Sequence, residues 1–428
     1  MAEICPFRGV RYNLEIVKDM AAVICPPYDV ITQEEQRAYY EKSPYNVIRL
    51  EHAMESSGDS INDNKHVRAS ATFNQWLKER VLVTDHVPSL YIHEHTFTFQ
   101  GTRRRRLGFT ACVRLEPWEK RMVLPHESTV AGIKSDRLEL MRACNANFSP
   151  LLGLYEDPGQ RIAKLLTVQT SRKPVLEFTA NGEAHKLWIA SEPEFIQRIS
   201  HFLAPKPIYI ADGHHRYETA LAYQAERRQH TPHASEHEAF NFIMMTLVSF
   251  SDPGLLVLPV HRLARGISAE NMKQFVEELA TIFTLESLPL EDASKMPEIG
   301  SVIARVIGLR EGHVTELRLR PNIHLKALMP QGHSDAYNRL EVSIVQHLVI
   351  DRLTAIDAGV SIAFTPNTQA AQKLVEQGEY QLAFILNPIP LSAIKAIADA
   401  NDRMPGKSTY FYPKLPTGLV INRLEGRL

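Results

Sequence analysis

Cysteine is scarce. Cys5, Cys25, Cys112 and Cys144 are the only four in 428 residues. They stand far apart and form no C-x-x-C pair, which excludes a zinc ribbon and a thioredoxin-type redox motif. Long apolar runs are also missing. None is long enough to span a bilayer, so no membrane partner is expected. Charge of one sign is not in excess either: 48 Lys and Arg face 49 Asp and Glu, for a formal net charge of −1. No global basic field draws nucleic acid or an anionic membrane. The stretch Met1 to Arg8 lacks a basic region followed by an apolar one, so a cytoplasmic protein is expected rather than a secreted one. No internal repeat and no long low-complexity tract is visible.

What is present is ordinary for a globular chain: 44% hydrophobic and 23% charged residues. The length implies two domains or three. Eighteen His is a high count, though a count alone decides nothing. Polar residues Glu55 to Lys65 read as a loop before a helix from about Val67 to Glu79. Ser89 to Thr98 and Arg105 to Val113 read as a hairpin turned at Gln100-Gly101-Thr102, with Arg103 to Arg106 as its solvated tip and a phosphate-facing role for one of the four as the alternative. Ala239 to Phe250 reads as a buried strand or helix edge. Ser268 to Phe283 and Ala336 to Ala355 have helical spacing. Ser301 to Leu309 and Thr315 to Leu319 read as strands. Asn367 to Gln377, Gln381 to Leu386 and Leu391 to Asn401 read as helix, strand, helix. Strands and helices interleave, so the class is α/β in the mixed α+β sense.

One segment carries the most chemistry. Pro207 to Ala211 is a short apolar run that reads as a buried strand. It breaks at Asp212-Gly213 and resumes as a helix to about Arg228, with Tyr217, Ala220, Leu221 and Tyr223 able to face a core. A strand, a glycine turn and a helix start leave backbone N–H groups pointing at one spot, where the helix dipole adds positive charge. His214, His215 and Arg216 occupy the same turn. That combination suits an anionic oxygen: a phosphate, or a metal-bound phosphate. Packing alone needs none of these side chains, although Asp212 by itself would serve as a helix cap.

Other polar clusters follow. His126 and Glu127 offer a proton acceptor and a carboxylate. Lys134 and Arg137 lie on adjacent turns of the helix expected to run on to about Cys144, so both can reach one anion; a surface helix laced with ion pairs is the plain alternative. Asp29 follows the rigid Cys25-Pro-Pro, and is a general base, a magnesium ligand or a turn residue. His261 and Arg262 end an apolar strand. Gly406-Lys407-Ser408 imitates a Walker A motif, but Asn401 stands where its first Gly belongs and a β-like Tyr-Phe-Tyr-Pro follows. The phosphate-cradling geometry is therefore not expected. Lys407 and Lys414 remain candidate charges for a cleft.

At these residues the chain resembles the domain-of-unknown-function family numbered 1015. The resemblance rests on Cys25-Pro-Pro-Tyr-Asp-Val, on Leu124-Pro-His-Glu-Ser-Thr with Lys134-Ser-Asp-Arg, and on Ala211-Asp-Gly-His-His-Arg-Tyr-Glu-Thr-Ala. Leu258-Pro-Val-His-Arg and Met404-Pro-Gly-Lys-Ser-Thr-Tyr-Phe-Tyr-Pro-Lys complete it. These motifs run from residue 24 to 414. The family's name states no activity. Asp212 to Glu218 is also similar to the phosphate-holding turns of sulfiredoxin, ParB and the free-serine kinases built on the ParB scaffold. The resemblance implies a ParB/sulfiredoxin-like N-terminal domain with a large insertion over residues 1–235, and a C-terminal mixed α/β domain over 236–428. It also implies that Gly213, His214, His215 and Arg216 contact nucleotide phosphate. His214 stands where sulfiredoxin has its Cys, which argues against sulfinic-acid repair. The double Arg of ParB is absent.

The leading expectation is a nucleotide-dependent phosphotransferase acting on a small hydroxyl compound, with free serine foremost and ATP or ADP with Mg²⁺ as cofactor. His126 with Glu127, or Asp29, would activate the hydroxyl. Asp212 and Glu218 would hold Mg²⁺ or orient the loop, and Lys134, Arg137 and Lys407 would neutralise charge. A metal-dependent phosphohydrolase, for phosphoserine for example, and a nucleotide-gated binding protein are the alternatives. A homodimer is among the expected states.

Overall fold

The computed structural model describes residues 2–129, 131–294 and 302–428, with the backbone alone over 131–134 and at 294. It is a mixed α+β structure in two compact units. The first comprises Met1–Leu124, Thr129–Leu256 and Pro413–Leu428. The second comprises Pro125–Ser128 and Val257–Tyr412.

A nine-stranded sheet organises the first unit. Its strands run in the order Val123–Leu124, Ile208–Asp212, Leu151–Tyr155, Phe242–Ser249, Thr102–Arg114, Leu90–Phe99, Glu183–Ala190 and Leu176–Ala180, with Ile4–Cys5 pairing beside Thr102–Arg114. Two pairs are parallel, Ile208–Asp212 with Val123–Leu124 and Phe242–Ser249 with Leu151–Tyr155. Both faces are covered. Ile92 enters one apolar cluster and its neighbour Tyr91 another, and Met245 and Met244 divide the same way. Successive side chains of a strand point to opposite faces, so a strand buried on both reads as a continuous apolar run. Phe242 to Ser249 is such a strand, buried throughout.

The expected hairpin forms. Leu90–Phe99 pairs antiparallel with Thr102–Arg114 through Gln100 at φ 48° and Gly101 at φ 75°. Two left-handed residues match the right-handed twist of the strands they join. The basic run at its tip divides, however. Arg103 and Arg105 are exposed, but Arg106 is only 2% exposed. Its Nη1 donates to the Pro413 carbonyl at 2.6 Å and its Nη2 to His95 Nδ1 at 3.3 Å.

The second unit is built on a six-stranded antiparallel sheet ordered Phe283–Pro289, His313–Leu319, Ala304–Ile307, Leu382–Ile385, His261–Arg265, Ser361–Thr365. Helices Ala269–Ile282, Thr368–Glu376 and Leu391–Asp399 lie where the periodicity puts them. The expected strand from Ser301 is observed over Ala304–Ile307, and Ser301 itself lies outside the described residues. The single helix expected from Ala336 to Ala355 is instead a series. Asp335–Arg339 ends at Leu340, whose extended backbone (ψ 129°) breaks it, and the chain resumes as Glu341–Val345, a π-helical Gln346–Ile350, and Asp351–Ile356. A π turn widens the helix by one residue and shifts the face it presents.

Candidate functional site

In the first unit the strand Ile208–Asp212 ends at Gly213, which caps the 17-residue helix His214–His230. Gly213 has φ +98°, a conformation side chains disfavour. A Cβ there would also lie 2.8 Å from Leu151 Cγ and 3.0 Å from Arg216 Nη2. Both facts require glycine. The first in-helix acceptor bond is Tyr217 N–H to the Gly213 carbonyl at 3.0 Å, so the amides of His214, His215 and Arg216 have no acceptor within the helix itself. They are the donors an anion would use. The His214 side chain is buried, and that of His215 half-buried.

Arg216 is committed to the framework. Its Nη1 donates to Ser149 Oγ at 3.0 Å and to the Pro150 carbonyl at 2.9 Å, and its Nη2 to Asp212 Oδ2 at 2.9 Å. Asp212 Oδ1 accepts from Lys414 Nζ at 2.5 Å. Burial alone would raise the Asp212 carboxyl, but Lys414 and then Arg216 overcome it and hold the group well below the ordinary carboxylate range. Glu218 accepts the Thr129 hydroxyl at 2.6 Å. Among the described residues, the group of three His, Cys, Asp or Glu ligand atoms close enough to share a metal is His95, Glu183 and His185. Asp212 and Glu218 form no such group.

Arg137 comes close to this framework. Its Nη1 donates to the Glu51 carbonyl at 2.6 Å, its Nε to Asp136 at 2.9 Å, and its guanidinium lies 4.2 Å from the Tyr28 ring centroid. Lys65 Nζ and His66 Nε2 meet the same Asp136 at 2.6 and 3.3 Å. Asp29 sits on the 3₁₀ turn Tyr28–Val30, exposed, with its charge within reach of Arg216. Lys134 belongs to the helix Ala131–Cys144, and its side chain lies outside the described residues.

Sequence reading missed Glu51. It is 3% exposed, accepts the Ser149 hydroxyl at 2.8 Å and stands 3.8 Å from Arg137 Nη1. Burial pushes its carboxyl up, with Arg137 and Arg216 opposing. Glu51, Arg137, Ser149 and Arg216 line a cavity of about 40 Å³, together with Met141 and Phe148. The signal was slight: a single acid after the mixed stretch Val47-Ile-Arg-Leu50.

The second unit gathers another set. Glu127 Oε1 accepts the Ser408 amide at 2.8 Å, the Thr409 amide at 2.7 Å and the Thr409 hydroxyl at 3.0 Å. His126 Nε2 lies 3.0 Å from the same hydroxyl. Lys407 is exposed on a left-handed residue (φ 60°), and a strand, Tyr410–Tyr412, follows it. A carboxylate rather than a phosphate therefore occupies the Ser408 and Thr409 amides. His261 Nδ1 accepts the Leu386 amide at 3.2 Å, so its Nε2–H faces Thr368 Oγ1 at 2.9 Å. Burial, then Arg262, pulls the imidazole down to about 4, so it is neutral.

The family model described as "Protein of unknown function (DUF1015)" matches residues 4–343. No curated protein matches. Among solved structures, a conserved hypothetical protein from Pyrococcus furiosus is similar at a TM-score of 0.37 and 14% identity, over 70% of this chain and 92% of that one. A free serine kinase in complex with AMP is similar at a TM-score of 0.36 and 13% identity, over 70% and 89%. A C-terminally truncated SbnI from Staphylococcus aureus is similar at 0.35 and 10%, over 74% and 87%. The family match covers most of the length and includes the Asp212 to Arg216 turn: the chain belongs to the family of proteins of unknown function DUF1015.

Proposed function

We propose that this protein is a nucleotide-dependent phosphotransferase acting on a small hydroxyl compound, with free serine the first acceptor to test. The observation that carries the reading is Gly213. A glycine at φ +98° ends a sheet strand and opens a long helix, with two His in its first turn. In this reading the amides of His214 and His215 and their imidazoles receive the phosphate oxygens. Arg216, Asp212 and Lys414 hold the turn in shape. Phosphoryl transfer asks mainly for positioning and charge stabilisation.

The hydroxyl oxygen of the acceptor forms a bond to phosphorus, the bridging P–O bond to the nucleotide breaks, and the hydroxyl proton passes to a base. Asp29, exposed and within electrostatic reach of Arg216, is the base proposed in the first unit. His126 and Glu127 as proton acceptors, and Lys407 as a phosphate-neutralising cation, are proposed for the second. The two oxygens of Asp212 each hold a cation already. Asp212 with Glu218 therefore does not fit a protein-held Mg²⁺ ion, and Mg²⁺ enters this reading only as part of the nucleotide complex.

The test is phosphoserine formation from L-serine with ATP or ADP, followed by ³¹P NMR, in wild type and in Gly213→Ala. The reading expects product from wild type with one of the two nucleotides and none from the variant. Absence of product with both, while either nucleotide still binds, would overturn serine as acceptor.

A further inference from the structure

Arg262 belongs to the second unit and is fully buried. It sits on the strand His261–Arg265, which pairs with Leu382–Ile385 on one side and Ser361–Thr365 on the other. Its direct cross-strand partners are Phe384 and Phe364, so its side chain leaves the sheet between two rings. Its guanidinium carbon lies 5.6 Å from the Phe364 ring centroid. Phe364 is 44% exposed, among the large apolar side chains that face solvent.

The hydrogen bonds of Arg262 do not close. Nη1 donates to the Val260 carbonyl two residues back. Nε and Nη2 are buried and meet no acceptor among the described residues. The acid whose charge reaches it is Glu127, but Oε1 of that carboxylate is already bound to Ser408 and Thr409. Neighbouring His261 is neutral and gives no negative charge. Burial pulls the guanidinium down to about 10, so it stays charged at neutral pH.

A buried charge is ordinarily paired, and a buried donor is ordinarily bonded. Here a side chain with five donors keeps two of its nitrogens unsatisfied in the interior. Nε and Nη2 lie along one edge of the guanidinium, the edge that receives two oxygens of a carboxylate or phosphate side by side. An aromatic ring lies over the same group and is itself open to solvent.

We propose that Arg262 is the anchor of a small-molecule site in the second unit, that it takes the carboxylate or phosphoryl group of its ligand through Nε and Nη2, and that Phe364 is the side chain that turns to admit it. The site is built from a different unit than the Gly213 turn and does not rest on the nucleotide reading.

The structural alternative predicts the opposite sign in a stability measurement. An arginine kept for packing stabilises the empty protein; one kept for a ligand burdens it. The experiment is thermal unfolding of the full chain as wild type, Arg262→Met and Arg262→Lys, alone and with inorganic phosphate, acetate or L-serine, with KCl at matched ionic strength as control. Gly213→Ala is run in parallel, so that phosphate bound at the other turn is counted separately. The expected result has three parts. Arg262→Met melts at or above the wild-type temperature without ligand. At least one anion raises the melting temperature of wild type and Gly213→Ala beyond KCl. Arg262→Met loses that rise, while Arg262→Lys keeps part of it. Which anion acts tells carboxylate from phosphate. Arg262→Met melting several degrees lower without ligand, an anion effect equal in wild type and Arg262→Met, or no anion effect in wild type would each overturn the proposal. A failure of nucleotide binding at Gly213 would leave all these readouts unchanged.

Discussion

Lys414 Nζ lies 2.5 Å from Asp212 Oδ1, across 202 residues of sequence. The ion pair ties the C-terminal segment to the end of the strand that presents the glycine turn. Arg216 Nη2 occupies the other oxygen at 2.9 Å. One carboxylate therefore organises two cations, one four residues on and the other 202 residues away.

Removing its charge takes the shared carboxylate from both cations. Asp212→Asn is expected to cost about 3–5 kcal/mol near pH 7, the usual penalty for breaking one side of a buried ion pair. The pH dependence has a definite sign. The folded-state carboxyl is held below its unfolded value, so its stabilisation is complete above the unfolded pKa and disappears as pH falls toward the folded one. Urea unfolding should show the gap between wild type and variant narrowing below about pH 4. A gap that widens there contradicts the assignment.

Gly213→Ala should be harmful on two counts. The left-handed backbone and the approach of Leu151 Cγ to 2.8 Å both resist a Cβ. A cost of about 1–3 kcal/mol is expected for such a residue. Chemical denaturation measures it, and a neutral or stabilising outcome would mean that the turn relaxes freely.

Three imidazoles in the first unit supply an acid sensitivity unrelated to the turn. His93 Nε2 lies 3.1 Å from His185 Nδ1, and His95 Nε2 lies 2.6 Å from Glu183 Oε2. Burial, with help from Arg106, lowers His95 to about 2; burial lowers His185 to about 4, with Glu183 opposing. Depressed folded values mean stability that is present above the unfolded pKa of about 6.5 and lost as pH falls through the folded ones. His185→Phe, placed against Phe178, should remove up to about 3 kcal/mol of the loss between pH 7 and pH 4. Identical pH profiles for wild type and variant would rule this out.

Glu127 closes the turn at Ser408 and Thr409 by accepting three donors on one oxygen. Bonds to a charged acceptor are worth about 1.5–3 kcal/mol. Glu127→Ala should therefore speed amide hydrogen exchange at Ser408 and Thr409 by roughly 10- to 100-fold, with exchange in the strand Phe242–Ser249 unchanged. Unaltered exchange at those two amides would show that the turn holds without the carboxylate.

The parts of this molecule visible in its sequence are those governed by local rules. The Gln100-Gly101 hairpin, the Asn367-capped helix and the strand–glycine–helix at Asp212 follow from turn chemistry, capping and periodicity within a few residues. The parts that stayed hidden are long-range. Arg106 reads as a solvated tip residue because nothing nearby reveals the Pro413 carbonyl, 307 residues away, that receives it. Glu51 looks like an ordinary helix-end acid until Ser149 and Arg137 are brought to it. The Glu127 clasp on Ser408 and Thr409 spans more than 280 residues. Residue type marked the polar clusters; only the fold assigned their partners, such as the Ser149, Pro150 and Asp212 oxygens that receive the Arg216 guanidinium.

The Gly213 turn is proposed to hold nucleotide phosphate. The most direct measurement is thermal unfolding with ATP, ADP, CTP and GTP in Mg²⁺, on wild type, His215→Ala and Gly213→Ala. A ligand that binds only the folded state stabilises it by about 2.7 kcal/mol at a hundredfold excess over Kd. One nucleotide is expected to raise the melting temperature of wild type, to raise it less in His215→Ala and to leave Gly213→Ala unmoved. Equal shifts in all three proteins, or none in wild type, would contradict it.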